Sequence, residues 1–489
     1  MSLTFHNIIG GRRVDAADGR TLEAANPATG EVWASFPRSG AAEIAAAYQA
    51  ARTAFADTWS KVDAKQRAAH LRAIAAMVAD HADELSDLET RDTGRVINET
   101  RLGHLPTCVE IFHYFAGAAD KLHGETVDVT HSSFNFTARE PLGVVGLLLP
   151  WNSPMSLISA KAGAALAAGN TVVVKPAEQA SCSILRFGEL LDEAGLPPGV
   201  INIVTGLGEE AGAALVAQPG ISRISFTGST ETARIITVQS APTLKQLHVE
   251  LGGKSPNVVF ADADLDAAVK GLTTTGVFTG NAGQSCIAGS RILVEASVFD
   301  EVVERMTKAA AAIVVGDPSD PATTMGAIVS EEQLKRVGSY IELAHHEGAE
   351  LVFGGRHGDQ LFPEGSELRN GYFVEPTLFK VASNSHRICQ EEIFGPVAVI
   401  MPFETDEEAV ALANGTDFGL AAGLWTKDLR RAFRFIRDVQ SGNVWVNAYP
   451  KIHWALPFGG VKDSGYGRDS GWESVLENTQ LKTVWVDLA

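Results

Sequence analysis

The sequence predicts an α/β protein: a doubly wound parallel sheet, a second α/β unit, and a small β extension. Three observations predict it. At 489 residues the chain is too long for one ordinary core, so two or three domains are expected. From Gly143 onward, short apolar strands alternate with helices, and a second alternating series runs from about Asn257 to Phe458. Alternation at this pace implies parallel sheets with helices on both faces.

Taken in order, a turn-rich opening around Asn26-Pro27-Ala28-Thr29-Gly30 leads into a helical region, residues 41–122. Its Ala-rich stretches 41–55 and 66–86 carry apolar residues at helical spacing. Residues 126–139, which include Phe134, Asn135 and Phe136, alternate like a strand. The first α/β series then offers strands at 144–149, 171–174, 201–204 and 223–226, with helices at 156–168, 183–193 and 210–218. The second offers strands at 257–260, 291–295, 397–403 and 442–447. Residues 482–488 read as an edge strand, which is a liability unless paired. Pairing with 126–139, or with another subunit to give an oligomer, resolves it.

Composition excludes several classes of function. Hydrophobic residues make up 45% and charged residues 20%, the values of a soluble globular chain. A formal net charge of −19 argues against nucleic acid, which is bound by clustered Lys and Arg. Met1-Ser2-Leu3-Thr4-Phe5-His6 lacks the charged start and apolar run of a signal peptide, and the most apolar stretch, 143–149, is too short to span a bilayer. No membrane role is expected. The four cysteines, Cys108, Cys182, Cys286 and Cys389, lack metal-ligand spacing, so neither a metal site nor a disulfide framework is expected. A reduced, cytoplasmic setting follows.

Five segments can carry chemistry. Cys286 sits in Gly283-Gln284-Ser285-Cys286-Ile287-Ala288-Gly289, a turn-rich stretch between a helix and a strand where backbone amides can converge on a substrate. Read alone, such a thiol is more often inert. Glu250 ends a strand before Gly252-Gly253 and is either an exposed loop carboxylate or a general base for hydrolysing a thioester. Pro150-Trp151-Asn152-Ser153-Pro154 pins Asn152 between prolines, as an Asx turn or as an oxyanion donor. Lys175 and Glu178, at the carboxyl end of another strand, form a surface ion pair or a ribose site. Gly206-Leu207-Gly208-Glu209-Glu210-Ala211 fits the dinucleotide pattern, but two glutamates at a helix start oppose a pyrophosphate. The loop Phe226-Thr227-Gly228-Ser229-Thr230 is the better phosphate site.

Together these segments resemble the aldehyde dehydrogenase superfamily over essentially the whole chain. The motifs stand in the family's order: Pro-Trp-Asn at 150–152, Lys-Pro-Ala-Glu at 175–178, Phe-Thr-Gly-Ser at 226–229 and Glu-Leu-Gly-Gly-Lys-Ser-Pro at 250–256. Gly-Gln-Ser-Cys at 283–286, Glu-Glu-Ile-Phe-Gly-Pro at 391–396 and Pro-Phe-Gly-Gly-Val-Lys-Asp-Ser-Gly at 457–465 complete the set. The resemblance implies oxidation of an aldehyde to its acid with NAD. Cys286 is then nucleophile, Glu250 general base, Asn152 oxyanion donor, and Lys161 a lysine linked to proton relay, although a helix Lys at a domain surface is its ordinary reading. It assigns Lys175 and Glu178 to the adenosine ribose, Gly208 to the adenine side, Gly228 and Ser229 to the pyrophosphate, and Glu392 and Phe394 to the nicotinamide ribose. Leu149, Trp151 and Leu251 join the cofactor contacts. Glu178 repels a 2′-phosphate, so NAD is expected over NADP. The implied organisation is Rossmann-like: residues 1–120 and 142–252 for NAD, 253–463 for catalysis, and 121–141 with 464–489 for oligomerisation as a homodimer or homotetramer.

The chain departs from the family in places. Ser153 stands where many members carry an aromatic, and Ala160 is small where relatives have Trp, which implies a wide approach walled by Tyr449, Ile452 and Trp454. The only Arg close in sequence to Asn152 or Cys286 is Arg291, so a dianionic substrate is not expected. Asp469 replaces a frequent Glu, and the shorter carboxylate puts a relay through that position in doubt. Two alternatives remain. An acylating enzyme would pass the acyl group to coenzyme A, but such members usually lack the general base. A retired, non-catalytic scaffold should have lost Cys286, Glu250 or Asn152.

Overall fold

The computed structural model describes residues 3–274 and 276–489. Two large sheets dominate it. The first has eight strands, in spatial order Gly465–Tyr466, Gln246–Glu250, Ile221–Thr227, Val144–Leu148, Thr171–Lys175, Ile201–Ile203, Asn7–Ile9 and Arg12–Val14. Its five central strands are parallel and its outer pairs antiparallel. The second has seven strands, in the order Glu350–Phe353, Thr377–Lys380, Val397–Phe403, Arg291–Glu295, Pro256–Val259, Ala421–Trp425 and Asn443–Val446, parallel except at the first.

The central strands are continuous apolar runs because both faces are covered. Every residue of Val144–Leu148 and of Thr171–Lys175 is buried. The helix Pro154–Ala167 begins with proline in its first turn and is buried nearly all round. Small residues make that possible: a Cβ on Gly163 would lie 2.6 Å from the Phe115 ring of the helix Leu105–Ala118.

Both α/β series stand where the alternation puts them, and the strands at 291–295 and 397–403 match to the residue. Other expectations are corrected. The opening is not merely turns: Asn7–Ile9 and Arg12–Val14 extend the first sheet, and Leu3–Thr4, Thr21–Ala25 and Val32–Pro37 form a three-stranded sheet. Residues 66–86 are helical as expected, in two helices, Ala64–Asp80 and Ala82–Thr93, that meet at His81. The helix expected at 210–218 starts as a π turn, Gly208–Gly212. The strand expected at 126–139 is Ser133–Pro141, with only a single bridge from Thr126 to Phe136 before it. The C-terminal strand, Thr479–Asp487, pairs with it antiparallel along its whole length. Its edge is thus covered within the chain, one of the two solutions open to it.

Candidate active site

The chain order of the first sheet reverses beside Val144–Leu148: the next two parallel strands lie on one side of it, Ile221–Thr227 and Gln246–Glu250 on the other. In such sheets the crevice beyond the strands' carboxyl ends, at that switch point, is where a ligand fits. Leu149 to Asn152, Gly228 and Ser229, and Leu251 follow strands at this edge, and Glu250 ends one.

Asn152 is held from three directions. Its Nδ2 donates to the Gln284 carbonyl at 3.0 Å. Its own carbonyl accepts from Arg95 Nη2 at 2.7 Å and Asn281 Nδ2 at 3.1 Å. One amide hydrogen is therefore committed to Gln284 and the second has a fixed direction. Arg95 also donates to Ser153 Oγ at 3.1 Å and pairs with Glu99 at 2.7 Å. The guanidinium beside Asn152 is thus Arg95, which arrives from the helical region and lies far away in sequence. Arg291 does not serve: it is fully buried and donates to the carbonyls of Lys254, Leu412 and Ala413.

Cys286 follows Gln284 in a turn whose geometry a close neighbour enforces. A Cβ on Gly253 would lie 2.5 Å from the Cys286 carbonyl oxygen, so only glycine lets the turn after Glu250 approach this closely. Glu392 closes the other side, accepting from the Gly253 amide at 3.1 Å. Burial pushes the Cys286 thiol up to about 12, and the nearby Glu392 and Glu250 add to the effect. Burial likewise pushes Glu392 up to about 7. Phe394 is held in the left-handed region, φ 61°, strain of about 1–3 kcal/mol for a non-glycine residue. It persists because Gln333 Nε2 donates to the Phe394 carbonyl at 2.9 Å and Trp151 packs edge-on to the Phe394 ring at 5.1 Å. Neither Gln333 nor Arg95 carried any signal in the sequence.

Glu250 is no exposed loop residue; it is 3% exposed. Burial and then the Asp469 charge raise it well above the usual carboxylate range, with Lys161 opposing. Its Oε1 lies 3.2 Å from His248 Nε2, while its Oε2 is buried with no protein partner. Lys161, far from being a surface lysine, is buried and donates to Asp469 Oδ2 at 2.7 Å and Ser225 Oγ at 2.9 Å. The shorter carboxylate at 469 therefore does reach the lysine. Burial alone would raise Asp469, but Lys161 and then His248 hold it below its usual value.

On the cofactor side, Lys175 Nζ donates to Glu178 Oε2 at 2.7 Å, with Glu178 partly open to solvent. Ser229 caps the helix Thr230–Ser240, accepting from the Thr232 amide, so that helix start faces the crevice. Gly208 opens onto free space, whereas Gly228 is required by its own packing: a Cβ there would lie 2.4 Å from the Phe226 ring. The objection to the 206–211 turn weakens, because Glu210 is turned to Arg38, at 2.7 and 3.0 Å. Leu149 and Leu251 are buried at the strand ends. A part-exposed carboxylate at one end, an open glycine turn and a helix start between, and a raised carboxyl beside the thiol fit an extended dinucleotide. Ala160, expected to widen the approach, is buried in the core, and of the residues expected to wall it Ile452 is exposed. Trp454 lines a cleft of about 470 Å³ with Leu105, Pro106 and Val109. Tyr449 is buried, its hydroxyl donating to the Ile287 carbonyl beside the thiol.

A family model described as "Aldehyde dehydrogenase family" matches residues 14–484. The chain belongs to the aldehyde dehydrogenase family. It is 42% identical to aldehyde dehydrogenase 1A1 of Gallus gallus over 97% of this chain and 92% of that one. Among solved structures, PnpE from Pseudomonas sp. WBC-3 in complex with nicotinamide adenine dinucleotide is 40% identical, with a TM-score of 0.96 over 100% of this chain and 98% of that one. The NAD+ complex of aldehyde dehydrogenase from Bacillus cereus is also 40% identical, with a TM-score of 0.96 over 99% and 97%. The dehydrogenase thus has the doubly wound fold and the second α/β unit of its relatives. Among its described residues no helix is long and apolar enough to cross a membrane.

Proposed function

We propose that this dehydrogenase oxidises an aldehyde to its carboxylic acid with NAD through a thioester on Cys286 that Glu250-activated water hydrolyses. The observation that carries this reading is Glu250 and Glu392 facing the Cys286 thiol, with Asn152 anchored to Gln284 two residues before it. A thiol pushed up to about 12 is protonated near neutral pH, so it needs a base. Glu250, raised by burial, is matched to that task, and its unpartnered Oε2 is free to accept the proton. The thiolate adds to the carbonyl carbon. The free hydrogen of the Asn152 amide and the Cys286 N–H hold the oxyanion, a donor of this kind lowering the barrier by about 3 kcal/mol. NAD, when bound, accepts the hydride as the thiohemiacetal collapses. Glu250 then takes a proton from the water that attacks the thioester.

Lys161 and Asp469 support Glu250 from behind. Lys175 and Glu178 hold the hydroxyls of the adenosine ribose, Gly208 lies on the adenine side, and Gly228 and Ser229 meet the pyrophosphate. Trp151, Leu149 and Leu251 flank the nicotinamide half, whose ribose Glu392 and Phe394 orient. The proposed division is residues 1–120 and 142–252 for cofactor, 253–463 for catalysis, and 121–141 with 464–489 for self-association as a dimer or tetramer. With four free thiols and no membrane-length helix among the described residues, a cytoplasmic setting is proposed.

A panel of aldehydes scored by NADH formation, with and without coenzyme A, tests the reading. Turnover without coenzyme A that is lost in Cys286→Ala supports it; strict coenzyme A dependence sinks the hydrolytic step. Cofactor choice has its own test. A Glu178→Ser variant is expected to narrow the kcat/KM preference for NAD over NADP by about tenfold, since about 1.4 kcal/mol of like-charge repulsion is removed. An unchanged ratio assigns the preference elsewhere.

A further inference from the structure

Behind Glu250 lies a buried polar chain. His248 and Glu250 are two residues apart on the strand Gln246–Glu250, so their side chains leave the same face. Ser225 stands directly across from His248 in the neighbouring strand. The ring is 2% exposed and links three groups: Nε2 lies 3.2 Å from Glu250 Oε1, Nδ1 lies 3.0 Å from Ser225 Oγ, and Nδ1 lies 3.7 Å from Asp469 Oδ1. Lys161 ties the far end together by donating to both Ser225 and Asp469. The slot is shaped to the pair: a Cβ on Gly467 would lie 2.4 Å from the His248 ring, and one on Gly459 would lie 2.6 Å from Glu250 Oε1.

We propose that His248 is a positioning residue for the Glu250 base, which orients its carboxylate through Nε2 while Ser225 anchors Nδ1. The inference rests on the reading of Glu250 as base and Cys286 as nucleophile. An imidazole suits the position because one ring nitrogen can donate while the other accepts. With its proton on Nε2 the ring donates to the Glu250 carboxylate and accepts at Nδ1 from the Ser225 hydroxyl. With its proton on Nδ1, Nε2 accepts from a protonated Glu250. In hydrolysis the water oxygen bonds to the thioester carbon and the carbon–sulfur bond breaks. One water proton goes to Glu250, whose carboxylate His248 Nε2 holds in place. The other ends on the departing Cys286 sulfur, leaving the product as carboxylate. The ring is neutral before and after, as its burial requires: it is held down at about 3.

The test uses the full chain and 4-nitrophenyl acetate, an activated ester that acetylates the nucleophilic thiol whatever the natural aldehyde. Nitrophenolate release reports acylation, and intact mass reports loss of the acetyl group from Cys286. His248→Ala is expected to slow both phases, deacylation by at least about tenfold, because Glu250 serves as base in each, and His248→Gln, which keeps a donor, is expected to recover most of the loss. Free imidazole is expected to restore deacylation in His248→Ala, a rescue that a merely structural role would not give. Parental deacylation in His248→Ala overturns the proposal. Loss of both phases together without imidazole rescue overturns it as well. The underlying assignment fails separately, if Cys286→Ala still acetylates at the active site or Glu250→Gln deacylates at the parental rate.

Discussion

At Glu250 the fold places a carboxyl where ionisation is costly, and two consequences of opposite sign follow. In the proposed mechanism the carboxylate is the working form, so hydrolysis is expected to rise as pH rises through the raised value. Stability moves the other way. Above the ordinary carboxylate range the unfolded chain releases this proton while the folded chain retains it, so stability falls with rising pH until the folded group ionises. Glu250→Gln removes both effects. It is expected to abolish the rising limb of the deacylation rate and to raise the apparent melting temperature at pH 8 relative to the parent. Rate profiles and thermal melts at pH 6 and pH 8 check this; a variant that melts lower at pH 8 contradicts the sign. Lys161 is the reason the cost is tolerable, since its ammonium opposes the burial and the Asp469 charge that raise Glu250.

At the scale of elements, the turn following the strand Gln246–Glu250 carries the site. Its two glycines differ physically. A Cβ on Gly252 would lie 2.2 Å from Glu392 Oε2, the end of a flexible side chain, whereas a Cβ on Gly253 would press on the Cys286 backbone at 2.5 Å. Backbone cannot move aside without carrying the thiol with it. Gly253→Ala is therefore expected to lower kcat/KM by about a hundredfold, the order that a misplacement of about 1 Å brings. Gly252→Ala is expected to act chiefly on the KM for NAD, through Glu392. Equal effects in both parameters for both variants would refute the distinction. These elements also mark what the sequence could disclose. Local motifs named Cys286, Glu250 and Asn152, and strand–helix alternation placed both sheets. Arg95, Gln333 and His248 stayed hidden because their partners are far away in the chain: Arg95 acts on Asn152, and His248 meets Ser225 only through strand register. One signal was present for His248, its spacing of two from Glu250 on an expected strand. The opening strands were missed because runs as short as Asn7–Ile9 carry no readable period. Glu250 was open to a surface reading because nothing local to its turn shows that Gly459 and Asp469 cover it.

Across the whole molecule, the ribbon of Ser133–Pro141 and Thr479–Asp487 raises the question of what covers its faces. Pairing satisfies one edge of each strand, yet a two-stranded ribbon is marginal in water without packing against something larger. Phe134, Leu481, Trp485 and Val486 of this ribbon are exposed, as are Ile235 and Val238 on the helix Thr230–Ser240. That much apolar surface on two elements exceeds the scattered exposure of an ordinary monomer, and a second copy of the chain is the economical cover. The dehydrogenase is accordingly expected to behave as an oligomer at micromolar concentration by size-exclusion chromatography with light scattering. Leu481→Asp combined with Trp485→Asp is expected to lower its mass to that of a smaller species. The proposed catalytic residues lie on other strands, so NADH formation per chain should survive dissociation if each copy holds a complete site. A parent that elutes as a monomer, or a double variant whose mass is unchanged, would place the interface elsewhere.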